Sequence, residues 1–144
     1  MRLDTETCLA RFRSVRSAVL GTVTPQGHPH LVPVVFAWDG TQIVFVIDAK
    51  PKSTPQLQRL TNLAAHPGCT LLADHYDDDW NRLWWVRMDG HARIDDDPGA
   101  VAHASALISQ RYPQTLDTEA PGPAVWITPH RWTGWTAADG APHW

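Results

Sequence analysis

Apolar residues recur along this chain with two different periods, and the change from one to the other marks out its elements. Between Asp4 and about Ser14, the spacing of Leu9, Phe12 and Val15 predicts a short amphipathic helix, with Asp4 or Thr5 available as its N-cap. From Ser17 to Thr24 the pattern becomes that of a strand. Pro25-Gln26-Gly27 punctuates it, and a second apolar run extends from His30 to Trp38. Asp39-Gly40 predicts a hairpin, because both central residues of a type I′ turn need positive φ, and Thr41 to Ile47 returns as a third strand. Pro33 withdraws a ladder donor from the second strand, so that strand is either an edge or bulged.

The helical period returns after Asp48-Ala49-Lys50-Pro51-Lys52. Ser53 and Thr54 supply a hydroxyl cap, Pro55 suits the first helical turn, and Leu57, Leu60 and Ala64 form one stripe that ends at His66-Pro67. Gly68 to Tyr76 reads as a fourth strand and Asp77 to Trp80 as a polar loop. Arg82 to Ile94 reads as a long, bent fifth strand with Gly90 at a bulge. Asp95-Asp96-Asp97-Pro98 opens a helix whose acidic start complements its dipole. Val101, Ala104, Leu107 and Ile108 share one side of it, and it ends near Tyr112-Pro113. A Pro/Gly-rich loop then leads to a final strand or strand pair, Val125-Trp126-Ile127 and Trp132-Thr133-Gly134-Trp135. Six or so strands in hairpin-linked steps with three helices predict a mainly β chain, a small antiparallel barrel rather than alternating βαβ units.

Composition narrows the function classes. The chain has 144 residues, about one domain's worth, so residues 1–144 are expected to form one domain. A formal net charge of -3 argues against nucleic-acid binding, which needs a basic face. Cys8 and Cys69 stand far apart without a CxxC pair and read as reduced thiols. The start, Met1-Arg2-Leu3-Asp4, is charged, and no apolar run approaches the roughly 18 residues of a membrane span, which predicts a soluble, cytoplasmic protein without a membrane segment. Tryptophan is the anomaly. It outnumbers tyrosine and phenylalanine together, 8 against 2 and 3, and its indole N–H usually wants a partner or water. The excess suggests a surface built to stack on something flat, or a large subunit interface.

One segment concentrates candidate chemistry. Lys50 and Lys52 bring two ammonium groups, Ser53 and Thr54 two hydroxyls, and the helix start unpaired N–H groups, which together suit a phosphate. Arg59, about one turn on, adds a cation if its side chain turns back. The same segment also reads as an ordinary helix cap with solvated lysines. Trp84 and Trp85 are adjacent and in a strand face opposite sides of the sheet, so one can enter the core while the other meets a ligand or subunit. Arg82 and Arg87 flank them with cations suited to a flat anionic cofactor, or stand beside them as solvent-facing charges. GxGxxG, Walker and GxSxG motifs are absent. His28 and His30 lack a third ligand at a recognisable spacing, and the acidic triplets lack calcium-loop spacing, so no metal site is predicted.

The runs Gly27-His28-Pro29-His30-Leu31-Val32-Pro33-Val34, Asp48 to Thr54 (DAKPKST), Asp74-His75-Tyr76-Asp77 through Trp80, Arg82 to Arg87 (RLWWVR) and Arg131-Trp132-Thr133-Gly134-Trp135 resemble, in order, the pyridoxamine-phosphate-oxidase-like F420-dependent oxidoreductases of actinobacteria. That resemblance covers nearly the whole chain. It implies a six-stranded antiparallel split β-barrel of the FMN-binding type, a homodimer, and a cofactor lying between the subunits. It further implies that Lys50, Lys52, Ser53 and Thr54 hold the cofactor's phosphate and that the backbone of Leu31, Val32, Pro33 and Val34 meets the deazaflavin ring. Arg82, Trp84, Trp85 and Arg87 would line the groove. The implied reaction is hydride transfer between reduced F420 and a small organic acceptor that the sequence does not identify. His75 and Tyr76 are candidate proton donors only by position, and also read as plain loop residues. Two alternatives stay open: the same barrel using FMN, and a non-catalytic carrier of F420 or flavin. Haem finds no histidine whose context marks an axial ligand.

Overall fold

The computed structural model describes residues 1–47, 54–115 and 122–137, with the side chains of 54–57 and 115 left aside. In chain order the elements are α1 (Thr5–Ser14), β1 (Ala18–Val23), β2 (Pro29–Val34), β3 (Ala37–Trp38), β4 (Ile43–Val46), α2 (Thr54–Ala65), β5 (Gly68–His75), β6 (Trp84–Asp95), α3 (Pro98–Arg111) and β7 (Ala124–Thr136). Short 3-10 turns lie at Trp80–Arg82 and Pro113–Thr115. All described strands belong to one antiparallel sheet in the order β2-β1-β5-β6-β7-β4-β3.

The connection between β2 and β3 shapes the whole sheet. These strands occupy its two opposite edges, yet only Val35 and Phe36 separate them in the chain. Two residues span less than about 10 Å even when extended, so the sheet must curl until its edges meet, which makes a split barrel. Phe36 locks that corner. It is fully buried, its ring lies 4.6 Å from Phe12 of α1, and the Arg111 guanidinium of α3 sits 4.7 Å above it. Arg111 also donates to the carbonyls of Arg13 and Val15, and the Tyr112 hydroxyl donates to Arg16, which ties the end of α3 to the α1–β1 link.

Two expectations are corrected here. The strand count is seven rather than six, because the predicted strand from His30 to Trp38 breaks at Val35-Phe36 into β2 and β3. Its uninterrupted apolar character hid the corner. The hairpin after β3 turns one residue later than Asp39-Gly40 implied. Asp39 pairs with Gln42, so Gly40 (φ 107°) and Thr41 are the central residues, and the Asp39 carboxylate accepts from the amides of Thr41 and Gln42. Of the two forms left open for the closing segment, a strand or a strand pair, it is one strand, β7. Pro33 does lie on an edge strand, and Gly90 does mark an irregularity, a register shift between Asp89 and Gly90 against β7.

Residues facing into the curl form the main core, which includes Leu20, Phe45, Leu71, Trp84, Met88 and Ile127. The outer surface divides in two. Helix α3 lays Ala104 and Ile108 on Ala37, Val44, Ala124 and Trp126, which covers β3, β4 and the start of β7. No described element covers the outer face of β2, β1, β5 and the first half of β6. Helix capping follows the sequence: the Asp4 and Asp97 carboxylates accept from the amides of Thr7 and Ala100.

Gly90 permits a close approach of β6 to β7. A Cβ there would stand 2.4 Å from the Thr128 carbonyl oxygen and 3.0 Å from Met88 Sδ. Gly90→Ala is therefore expected to cost at least about 2 kcal/mol of stability, since backbone must move to admit the methyl. Chemical denaturation checks this, with Gly68→Ala, where a Cβ meets nothing within 4 Å, as the comparison.

Candidate functional site

The bare half of the outer face carries a groove of about 460 Å³. Strand alternation builds it: Val19 and Gly21 from β1, Leu31 from β2, Thr70, Leu72 and Asp74 from β5, Trp85 and Arg87 from β6, and Tyr76 just beyond β5. Register sets neighbours across strands, with Gly21 opposite Leu31, Leu72 opposite Arg87, and Asp74 opposite Trp85. The apolar exposure is unusual for a sheet face, at 71% for Leu31 and 40% for Leu72. Gly21 keeps the floor low, because a Cβ there would press within 3.3 Å of Leu31 Cδ2.

Polar groups rim the groove. The Thr70 hydroxyl donates to Asp89 Oδ1 at 2.8 Å, and Asp89 Oδ2 stands 3.6 Å from Arg87 Nε, an ion pair too long to be a hydrogen bond. The Arg87 guanidinium lies 5.9 Å from the Trp85 ring centre. Away from the residues that line the groove, Arg59 of α2 is a further notable cation. Its Nε is buried without a hydrogen-bond partner among the described residues, and burial pushes its guanidinium below its ordinary value. A buried, unpartnered guanidine N–H is costly, and an anionic ligand would satisfy it.

The structure distributes the predicted site residues over several places. Leu31, Trp85 and Arg87 come together in the groove. Val32 is partly buried against the core, Val34 is buried, and Pro33 is exposed on β2, whose ladder pairs on one side only. Trp84 points the other way, 8% exposed, with Arg11 5.4 Å from its ring. Arg82 accompanies Trp84 in a separate hollow, so the four residues of the RLWWVR run do not share one face. Thr54 opens α2, while Lys50, Lys52 and Ser53 lie outside the described residues. His75 also belongs to the Trp84 side. It hydrogen bonds Asp77 Oδ2 at 2.9 Å, and that bond holds the Asp77 carboxyl below its ordinary range. Tyr76 reaches the groove end instead and is 59% exposed. Sequence reasoning missed Gly21, Thr70, Leu72 and Asp74. For Thr70, Leu72 and Asp74 the signal was the two-residue period of β5 read outward from its buried positions Cys69, Leu71 and Ala73.

A model of the pyridoxamine 5′-phosphate oxidase family matches residues 4–136. The chain belongs to that family. Solved structures superpose over almost its full length. A conserved hypothetical protein of Mycobacterium tuberculosis is 25% identical with a TM-score of 0.77, covering 99% of this chain and 91% of its own. A FAD-binding protein of Mesorhizobium loti is 16% identical with a TM-score of 0.72, covering 93% and 95%. The FAD-binding protein of Mycobacterium smegmatis is 20% identical with a TM-score of 0.61, covering 92% and 93%. No curated protein matches the chain. Among the described residues no helix is long and apolar enough to cross a membrane, and no three His, Cys, Asp or Glu side chains cluster as metal ligands do.

Neither thiol of this family member is placed for chemistry. Cys8 and Cys69 are both free and buried, and burial pushes the Cys69 thiol up to about 12. At pH 8 its thiolate fraction is then about one in ten thousand. Mass spectrometry after native incubation with iodoacetamide is expected to find Cys69 unmodified, and full alkylation only in denaturant.

Proposed function

We propose that this protein is an oxidoreductase that holds a phosphate-bearing tricyclic cofactor, coenzyme F420, on the bare outer face of β1, β5 and β6, and moves hydride between it and a small organic acceptor. The observation that carries the reading is the division of the outer surface: α3 covers one half, while the other is an apolar groove flanked by an indole and a guanidinium. The residues fit such a group. Trp85 offers a flat wall and Arg87 a cation beside it. Lys50, Lys52, Ser53 and Thr54 would join Arg59 in holding the phosphate. The free backbone edge of Leu31, Val32, Pro33 and Val34 would meet the ring.

The bound cofactor supplies the hydride chemistry, and the protein orients it and excludes water. A second copy of the chain would close the groove, because Leu31, Leu72 and Tyr76 leave apolar surface that a lone subunit exposes to solvent. F420 rests on the resemblance carried by the DAKPKST and RLWWVR runs. FMN or FAD is the second reading, favoured by the FAD-binding proteins that share the fold. A carrier of either cofactor differs from an enzyme only in lacking turnover.

Titration of the purified protein with F420 and, separately, with FMN, followed by tryptophan quenching, decides the cofactor. Saturation by F420 alone is expected. Saturation by FMN alone would establish the flavin reading, and binding of neither would overturn both. Lys50→Ala, Lys52→Ala and Arg59→Gln are each expected to weaken binding by about 1.5–3 kcal/mol, the worth of a charge-assisted hydrogen bond. Leu31→Glu is expected to yield a monomer by light scattering and to lose the cofactor with it.

A further inference from the structure

Between the groove and the part of the sheet under α3, the outer face of β6 and β7 carries two histidines that the proposed function does not use. His91 follows Trp85, Arg87 and Asp89 in the outward alternation of β6 and is exposed. Its partner across the ladder is Thr128, so an unbroken register would set His130 opposite Asp89. The shift at Gly90 prevents this. Pro129 pairs with Gly90 and Arg131 with Asp89, which makes His130 the extra residue of the bulge, without a ladder partner of its own. A bulge re-aims the side chain it frees, and His130 turns onto His91. The ring centres stand 4.5 Å apart, tilted at 31°, and His91 Nδ1 faces His130 Nε2 at 2.5 Å.

Two facing imidazole nitrogens share a single proton well and two protons badly, because doubly protonated rings repel. A divalent transition metal ion escapes that limit, since each neutral ring offers it a lone pair. Nitrogens about 2.0–2.1 Å from one ion in adjacent coordination positions lie roughly 3 Å apart. The pair reaches that separation by opening about half an ångström, and both side chains are exposed, so rotation about their χ angles suffices. The nearby carboxylates are engaged elsewhere: Asp89 by the Thr70 hydroxyl and Arg87, and Asp95 by Arg93. The protein therefore supplies nitrogen alone, and water fills the other positions. Such a set suits Cu²⁺ above Ni²⁺ and Zn²⁺, and does not suit Mg²⁺ or Ca²⁺, which take oxygen ligands.

We infer that His91 and His130 form a two-imidazole site for a divalent transition metal ion, open to water, that staples β6 to β7 at the bulge. An ion held by both rings binds the folded chain and not the unfolded one, so it raises stability by mass action. The site is independent of which cofactor occupies the groove.

Calorimetric titration of the full chain with NiCl₂, CuCl₂ and MgCl₂ tests the site, on wild type, His91→Gln, His130→Gln and His66→Gln. His66, exposed just after α2, controls for the loss of a surface imidazole. Ni²⁺ is expected to bind, Cu²⁺ more tightly, and Mg²⁺ not at all. His91→Gln and His130→Gln should each weaken Ni²⁺ by at least about tenfold, since losing a ligand costs more than losing one of its supports, and His66→Gln should change nothing. Nickel should raise the melting temperature of the wild type and leave that of the two ligand variants unmoved. Nitrogen NMR of the wild-type imidazoles with Zn²⁺ needs no variant, and therefore stands if a substitution disturbs the fold; the signals of His91 and His130 are expected to shift together. Wild-type nickel affinity in either ligand variant, an equal loss in His66→Gln, or a zinc shift at only one of the two rings would overturn the proposal and leave separate surface histidines binding metal adventitiously.

Discussion

Two residues between the opposite edges of a seven-stranded sheet set the geometry of this molecule. Val35 and Phe36 cannot bridge a flat sheet, so the sheet curls, and Phe36 is buried at the corner against Phe12 and beneath Arg111. Curling gives the sheet a filled inside and a divided outside. Once α3 has covered β3, β4 and the start of β7, the outer face of β1, β5 and β6 is left with no described helix over it. The groove is thus a consequence of how the sheet closes and of where its third helix falls.

Alternation along β6 then decides which chemistry faces where. Trp84 enters the core and Trp85 faces outward, and each brings a different set of cations: Arg87 with Trp85, and Arg11 with Trp84. Adjacent indoles on one strand therefore line two different hollows, on opposite faces of β6.

Much of this was legible in the sequence, for physical reasons that differ by element. The changes of period located the three helices, and Asp4, Asp97 and Pro98 marked two of their starts. Gly90 announced its irregularity because no other residue fits beside Thr128. The corner at Phe36 was not legible, since an apolar run without polar alternation looks the same straight or bent. The turn at Gly40 was placed one residue early because Asp39 resembles a turn residue but acts as a side-chain acceptor. At the site, opposite facing of Trp84 and Trp85 followed from the strand period, yet which indole faces the core depends on the sheet's register. The pairing of His91 with His130 could not be read from the sequence at all: the two lie 39 residues apart and only the bulge at Gly90 turns one onto the other. The lysine-rich run that carried most of the phosphate expectation, Lys50 to Ser53, lies outside the described residues, and Arg59 is the nearest structural support for it.

The central claim is that the cofactor lies on the Trp85 face of the sheet. Fluorine NMR of protein labelled with 5-fluorotryptophan tests it directly, with Trp84→Phe and Trp85→Phe assigning the two resonances. On saturation with F420 or FMN, the account predicts a large shift or broadening of the Trp85 signal and little change at Trp84. A shifted Trp84 beside an unmoved Trp85 would contradict it.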